Sequence, residues 1–241
     1  MKYCPVMPPK AAYLLEEVKH ENMGYFCYAD VAYENDQYTD FMTRQNYVVL
    51  DCPIMEKGRI LTPKELRSVV EHVNPTFTII PDKVFDMHET LVWFYNYCEA
   101  IAHPSMCGVL QGTTKDELIK CALEMNKYGL QRMAIPRISE KNGGVPRSVL
   151  LRILREDLPH IQWHMLGANF PYLDEFRVAE MASSCDTAEP VSASLELTFL
   201  TKHSTERPDG FLEKGIEHFD RDWLRHNIRS VCRWFEHGLL S

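Results

Sequence analysis

What most constrains the fold of this chain is a rhythm. Short apolar runs, each long enough for one buried strand, alternate with stretches whose apolar residues recur at three- and four-residue intervals. The runs lie at Tyr25 to Ala29, Tyr47 to Leu50, Phe77 to Ile80, Cys107 to Leu110, Met133 to Ile135, Gln162 to Leu166, Ser183 to Cys185 and Leu195 to Leu200. Helical spacing fills Pro63 to His72, Met87 to Ala102, Lys115 to Tyr128, Pro146 to Glu156 and Pro171 to Met181. Two of these segments open on start signals, Thr62-Pro63 with Glu65 and Thr113-Thr114 with Asp116 and Glu117.

Strand alternating with helix demands a parallel sheet, because only a crossover returns the chain to the same end. The runs stop at Asp51, Asp82, Gln111, Pro136, Gly167 and Asp186, with gaps of 31, 29, 25, 31 and 19 residues. That is close to the roughly 30 residues of a βα unit. Neither a GxGxxG turn nor a Walker loop marks an open nucleotide-binding sheet. The expected fold is therefore α/β: one (β/α)8 TIM-like barrel domain over 1–241, with a helical tail over about 209–241.

Four runs end on a carboxylate or an amide: Val48-Val49-Leu50-Asp51, Ile79-Ile80-Pro81-Asp82, Gly108-Val109-Leu110-Gln111 and Ser183-Ser184-Cys185-Asp186. In a barrel, the C-terminal ends of the strands meet at one mouth, where such folds keep their chemistry. Asp also caps helices and opens turns, which any one of these positions could be doing. Together they offer two carboxylates for a retaining glycosyl transfer, one to attack the anomeric carbon and one to shuttle a proton. A further Asp and a Gln have the acceptor and donor groups to read a purine edge. A retaining glycoside hydrolase fits the carboxylate pair too, but Trp93, Trp163, Trp223 and Trp234 are not at strand ends, where a sugar platform would be.

The formal charge of −8 excludes a protein that coats nucleic acid by bulk positive charge. A local patch is required, and two stretches offer one: Arg132, Arg137, Lys141 and Arg147, and a stripe of Arg221, Arg225, Arg229 and Arg233 at four-residue spacing. The stripe reads equally as a solvated helix face. Eight cysteines are scattered without a CxxC pair, no run has the length of a membrane span, and no secretory segment opens the chain. A reducing cytoplasmic setting with no membrane association is expected. His203, His218, His226 and His237 with Cys232 match no ligand spacing, so neither a metal nor a cofactor is expected.

At the polar strand ends the chain resembles the tRNA-guanine transglycosylase superfamily. The likeness is greatest to its small DNA-acting branch, the DNA 7-deazaguanine transglycosylases of some phages and bacterial islands. The resemblance runs from about Ala29 to Pro190 through Ala29-Asp30-Val31-Ala32-Tyr33, Leu50-Asp51, Pro81-Asp82, Gly108-Val109-Leu110-Gln111-Gly112, His164-Met165-Leu166-Gly167 and Cys185-Asp186-Thr187-Ala188-Glu189-Pro190.

The resemblance implies that Asp186 is the nucleophile toward the sugar C1′ and Asp51 the general acid/base. It implies that Asp82 and Gln111, with Gly112, hold the purine, that Leu166 and Gly167 line the base pocket, and that the backbone of Ile135-Pro136-Arg137 faces the 7-substituent. The implied partners are DNA and a free 7-deazaguanine base, commonly its 7-cyano form; from the two basic stretches, Arg137, Lys141, Arg147, Arg225 and Arg229 are the expected DNA contacts. Cys52-Pro53-Ile54-Met55 replaces the Ser-Gly-Gly-Tyr run of the tRNA enzymes, only Cys232 remains of their CxCxxC zinc cluster, and no length is left for their added subdomain. The last of these departures favours DNA over tRNA as the substrate.

Overall fold

The computed structural model describes residues 1–52, 60–101, 105–140, 144–168, 181–197 and 208–237. Eight parallel strands among them form a nearly closed barrel. These are β1 (Lys2–Pro5), β2 (Tyr25–Tyr28), β3 (Val48–Asp51), β4 (Phe77–Ile79), β5 (Met106–Val109), β6 (Arg132–Pro136), β7 (Gln162–Leu166) and β8 (Ser184–Thr187). Their order is β1-β8-β7-β6-β5-β4-β3-β2, each strand hydrogen-bonded to its neighbours. The two ends of this sheet meet where Tyr3 pairs with Met23 and Gly24 N–H donates to the Tyr3 carbonyl at 2.8 Å. Gly24 permits this seam, because a Cβ there would fall 2.6 Å from a Tyr47 ring carbon and 2.7 Å from Cys4 Sγ.

Helices follow the strands around the outside: α1 (Leu15–Val18), α2 (Ala29–Glu34), α3 (Asp36–Thr43), α4 (Pro63–Val73), α5 (Met87–Ile101), α6 (Lys115–Lys127), α7 (Arg147–Asp157), α8 (Glu189–Leu195) and α9 (Arg221–His237). The two start signals work as expected. Thr62 and Glu65 form a reciprocal capping box ahead of Pro63. Thr114 Oγ1 accepts from Glu117 N–H at 3.2 Å, and Glu117 reaches back to Thr113 N–H at 2.7 Å. Apolar positions such as Leu66, Val69, Val70 and Val73 on α4, and Leu150, Leu151 and Leu154 on α7, are buried against the sheet. Truncating one of these leucines to Ala would cost about 2–5 kcal/mol.

Two sequence expectations change. Leu195 to Leu200 was expected to be the eighth strand, but Leu195 closes helix α8 and Leu197 has φ +51, while 198–200 lie outside the described residues. The missing strand is β1, only four residues long and ending in Pro5. The tail is also not helical from Asp209. Short 3-10 turns at Phe211–Glu213 and Ile216–His218 come first, and the helix starts at Arg221. The expected helix over Pro171 to Met181 falls outside the described residues except for Met181, which precedes β8. No helix among the described residues is long and apolar enough to cross a membrane.

Candidate active site at the barrel mouth

Strand register decides which side chains enter the barrel. The Phe77 and His164 rings meet at 5.2 Å although β4 and β7 are not neighbours, so both point into the lumen. Side chains alternate along a strand, and partners in register share a face. Ile79 therefore points inward with Phe77, and so does its register partner Asp51. By the same step Ser184 pairs with His164, which turns Asp186 inward, while Ala134 pairs with His164 and Val109 with Ala134, which turns Pro136 and Gln111 inward. The structure thus brings Asp51, Gln111, Pro136, Leu166 and Asp186 to one end of one lumen, as expected from the polar strand ends.

Asp186 lies within β8 rather than just past it, and is only 2% exposed. Its Oδ1 accepts from Gly167 N–H at 3.1 Å and lies 3.0 Å from His164 Nε2. Among the described residues, Oδ2 receives no hydrogen bond. Gly167 supplies its N–H from φ +63, a left-handed conformation that a side chain would strain. Behind this carboxylate sits Arg147, fully buried, its Nη1 donating to the carbonyls of Leu166 at 3.0 Å and Ile135 at 3.3 Å. Burial lowers the Arg147 pKa, opposed by Glu140 and by Asp186, which is close enough to interact with the guanidinium. An arginine starts so far above neutrality that this group stays charged. Arg147 therefore braces the β6–β7 rim from within, and its expected role as a phosphate contact is corrected.

Asp82 and Gln111 form the second cluster. Phe85 N–H donates to Gln111 Oε1 at 3.0 Å, and Gln111 Nε2 donates to Asp82 Oδ2. The amide orientation is forced, because an N–H donor on one side requires the oxygen to face it. Phe85 holds φ +66, backbone strain concentrated at this pair. Burial pushes the Asp82 carboxyl up to about 6, against the lowering effect of the Gln111 hydrogen bond. Gly112 has a packing reason of its own: a Cβ there would sit 2.7 Å from Glu117 Cβ, so the glycine lets α6 start tight against the strand and fixes Gln111. Pro136 is buried, and its carbonyl accepts from Ser139 Oγ at 2.8 Å.

Three mouth residues carried no expected role. Asp30, which opens α2 directly after β2, is 5% exposed, and Glu189, at the start of α8 after β8, is 4% exposed. Their signal was a carboxylate just beyond an apolar run. The third is His164, at the middle of β7. Cys52 lies near both Asp51 and Asp30, and burial followed by these two charges pushes its thiol well up, so it is no thiolate nucleophile. Ser184, His164 and Asp186 carry the residue types of a hydrolase triad in reversed order. Here the Asp is nearest the mouth and the Ser is deepest and fully buried, which excludes the Ser as a nucleophile toward anything at the mouth.

The other expected cations divide. Arg137 follows β6 at the mouth and is exposed, while Lys141 lies outside the described residues. Arg132 belongs to the opposite end of the barrel, its guanidinium 4.9 Å over the Phe77 ring. The α9 stripe fastens the tail to α1: Arg221 and Arg225 meet Glu17 at 2.8 and 3.7 Å, and Arg229 Nε donates to the Val18 carbonyl at 3.1 Å. Arg225 and Arg229 thus sit on the barrel's flank rather than at its mouth. All eight cysteines are buried and none forms a disulfide, and no metal-binding group of His, Cys, Asp or Glu occurs among the described residues. With neither a family model nor a curated protein matching the sequence, activity is to be read from the chemistry of the barrel mouth.

Proposed function

We propose that this chain is a base-exchange transglycosylase that replaces guanine in DNA with a 7-deazaguanine, the 7-cyano form foremost, through a covalent Asp186–deoxyribose intermediate. The observation that carries this reading is the state of Asp186: an inward carboxylate at the strand ends, with both donors on Oδ1. Such a group suits attack on a sugar carbon held above it. Asp82 offers an acceptor and Gln111 a further amide donor, which complement the N–H groups and the carbonyl of guanine's pyrimidine edge. Asp51, inward on β3, is placed to hand a proton to the departing purine and to take one from the incoming base. The sugar C1′ is screened in a stacked duplex, so the target nucleotide is extruded or comes from a single strand. Arg137, exposed at the rim just past β6, is a cation available to meet a phosphate.

Labelled guanine offered with duplex DNA, single-stranded DNA and tRNA tests this directly. Exchange into DNA is expected, and nucleoside mass spectrometry after incubation with the 7-cyano base should find the modified deoxynucleoside. Exchange into tRNA alone would move the substrate to RNA. No exchange into any of the three would end the transglycosylase reading.

A further inference from the structure

Among the described residues, His164 points inward with both ring nitrogens against residues of the neighbouring strand. Nε2 lies 3.0 Å from Asp186 Oδ1 and Nδ1 lies 2.9 Å from Ser184 Oγ. Ser184 and Asp186 are successive inward positions of β8, and His164 is in register with Ser184, so one imidazole spans both. The ring is 1% exposed and Ser184 is fully buried, while Phe77 closes the lumen side at 66° to the imidazole plane. A ring held at both nitrogens and against one face has no freedom to swing toward a substrate.

We infer that His164 is the positioning residue of Asp186, and that it selects which carboxylate oxygen reacts. The inference rests on the transglycosylase reading for its chemistry. His164 Nε2–H and Gly167 N–H both donate to Oδ1, which fixes the carboxylate plane and lowers the nucleophilicity of that oxygen. Oδ2 is then the attacking atom. Its lone pair forms the bond to C1′, the C1′–N9 bond breaks, and the electron pair leaves with guanine, which takes the Asp51 proton on a ring nitrogen. In the return step N9 of the incoming base attacks C1′, its proton passes to Asp51, and the pair of the Oδ2–C1′ bond returns to Asp186. His164 takes no part in either proton transfer. Ser184 acts one step back, fixing the ring rotation so that Nε2 faces the carboxylate.

The test compares His164→Ala, His164→Gln and Ser184→Ala in single turnover with labelled guanine-containing DNA and no incoming base, measuring the rate of protein–DNA adduct formation, and in steady-state exchange, measuring KM for the free base. Gln can place an amide N–H near the Nε2 position, whereas Ala cannot. His164→Ala is expected to slow adduct formation on the order of 100-fold with KM for the free base unchanged, and His164→Gln to recover to within about tenfold of the parent. Ser184→Ala should fall between them. A purely structural histidine would lower the melting temperature or the active fraction without this split and without rescue by Gln. Parent-like adduct formation in His164→Ala, or equal loss in Ala and Gln variants that both melt like the parent, would overturn the inference.

A second readout requires no activity. The 15N-edited NMR signal of His164 Nε2–H in the parent should be protected from exchange and should move in both Asp186→Asn and Ser184→Ala. Its absence would overturn the hydrogen bond on which the inference stands. A parent that exchanges no base while showing this signal would instead defeat only the transglycosylase reading.

Discussion

On the β7–β8 side of the mouth, Asp186 is gripped through one oxygen by Gly167 N–H and the His164 ring, with the Arg147 guanidinium behind the strand ends. On the β4–β5 side, Asp82 has one amide donor, and burial outweighs it enough to lift its pKa to about 6. The first carboxylate is held in one orientation through one of its oxygens, as a positioned nucleophile must be. The second is balanced near neutrality and supported by a strained loop at Phe85, which suits a group that accepts hydrogen bonds from one base, releases it and takes another. Two acids at one barrel mouth are thus prepared for different tasks by their neighbours alone.

The most severe way to break this comparison is Asp186→Asn. Asn keeps an oxygen for Gly167 N–H and nearly the same volume, so the melting temperature should stay within a few degrees. Base exchange should fall by on the order of 10⁴-fold or more, and no protein–DNA adduct should form. Near-parental exchange of labelled guanine would show that the nucleophile lies elsewhere.

Arg147→Met comes next, because it removes the buried charge that separates the two sides. It strips donors from the Leu166 and Ile135 carbonyls and leaves Glu140 without its buried cation. A loss of about 3 kcal/mol is expected, or roughly 10 °C in melting temperature for a chain of this size. Arg225→Met, whose side chain is half-exposed on the α9 stripe, should cost less than about 1 kcal/mol. Equal melting shifts in the two variants would mean that Arg147 is not the brace described here.

Gly167→Ala sharpens the comparison on the nucleophile side. Forcing a side chain into φ +63 costs about 1–2 kcal/mol, and any relaxation turns the N–H away from Asp186 Oδ1. Gly129→Ala is the control, with φ +84 and open space around the added carbon. Both should lose similar stability by chemical denaturation, but only the change at 167 should slow exchange, by about tenfold. A matching slowdown at 129 would reduce the role of Gly167 to backbone geometry.

Much of this mouth was legible because isolated polar residues ended apolar runs, as at Asp51, Asp82, Gln111 and Asp186. The helix starts at Thr62 and Thr114 were legible because their contacts lie within three or four residues. His164 was not, since it lies between Trp163 and Met165 inside an apolar run and its partners are twenty residues away on another strand. Arg147 misled for the opposite reason. A guanidinium at a helix start reads as surface, and nothing local reveals that two carbonyls and a carboxylate enclose it. The α9 stripe had a legible period, but which face meets solvent was set by Glu17 and Val18, two hundred residues earlier. Strand β1 was missed because four residues ending in proline form no run. Periodicity records which residues share a face, whereas what that face meets is a tertiary fact.

The smallest effect tests the other carboxylate through its two linked consequences. The folded-state pKa of Asp82 is raised from the ordinary 3.8 to about 6, so the folded protein binds this proton more tightly than the unfolded chain. Stability therefore declines as pH rises between about 4 and 6, and the deficit is complete above 6. Allowing for partial exposure, it is about 1 kcal/mol. Asp82→Asn retains an acceptor for Gln111 and cannot ionise, so it should be more stable than the parent by that amount at pH 8 and equal to it near pH 4, as read by denaturant midpoints. Binding should respond in the opposite sense. Accepting from the N–H groups of a guanine edge needs the ionised carboxylate, so KM for the free base should rise about tenfold per pH unit below 6 in the parent and stay high and flat in the variant. A variant that is stabilised at pH 8 yet binds base like the parent would detach Asp82 from recognition. It would leave the β4–β5 side of the mouth with a strained, desolvated acid and no substrate to account for it.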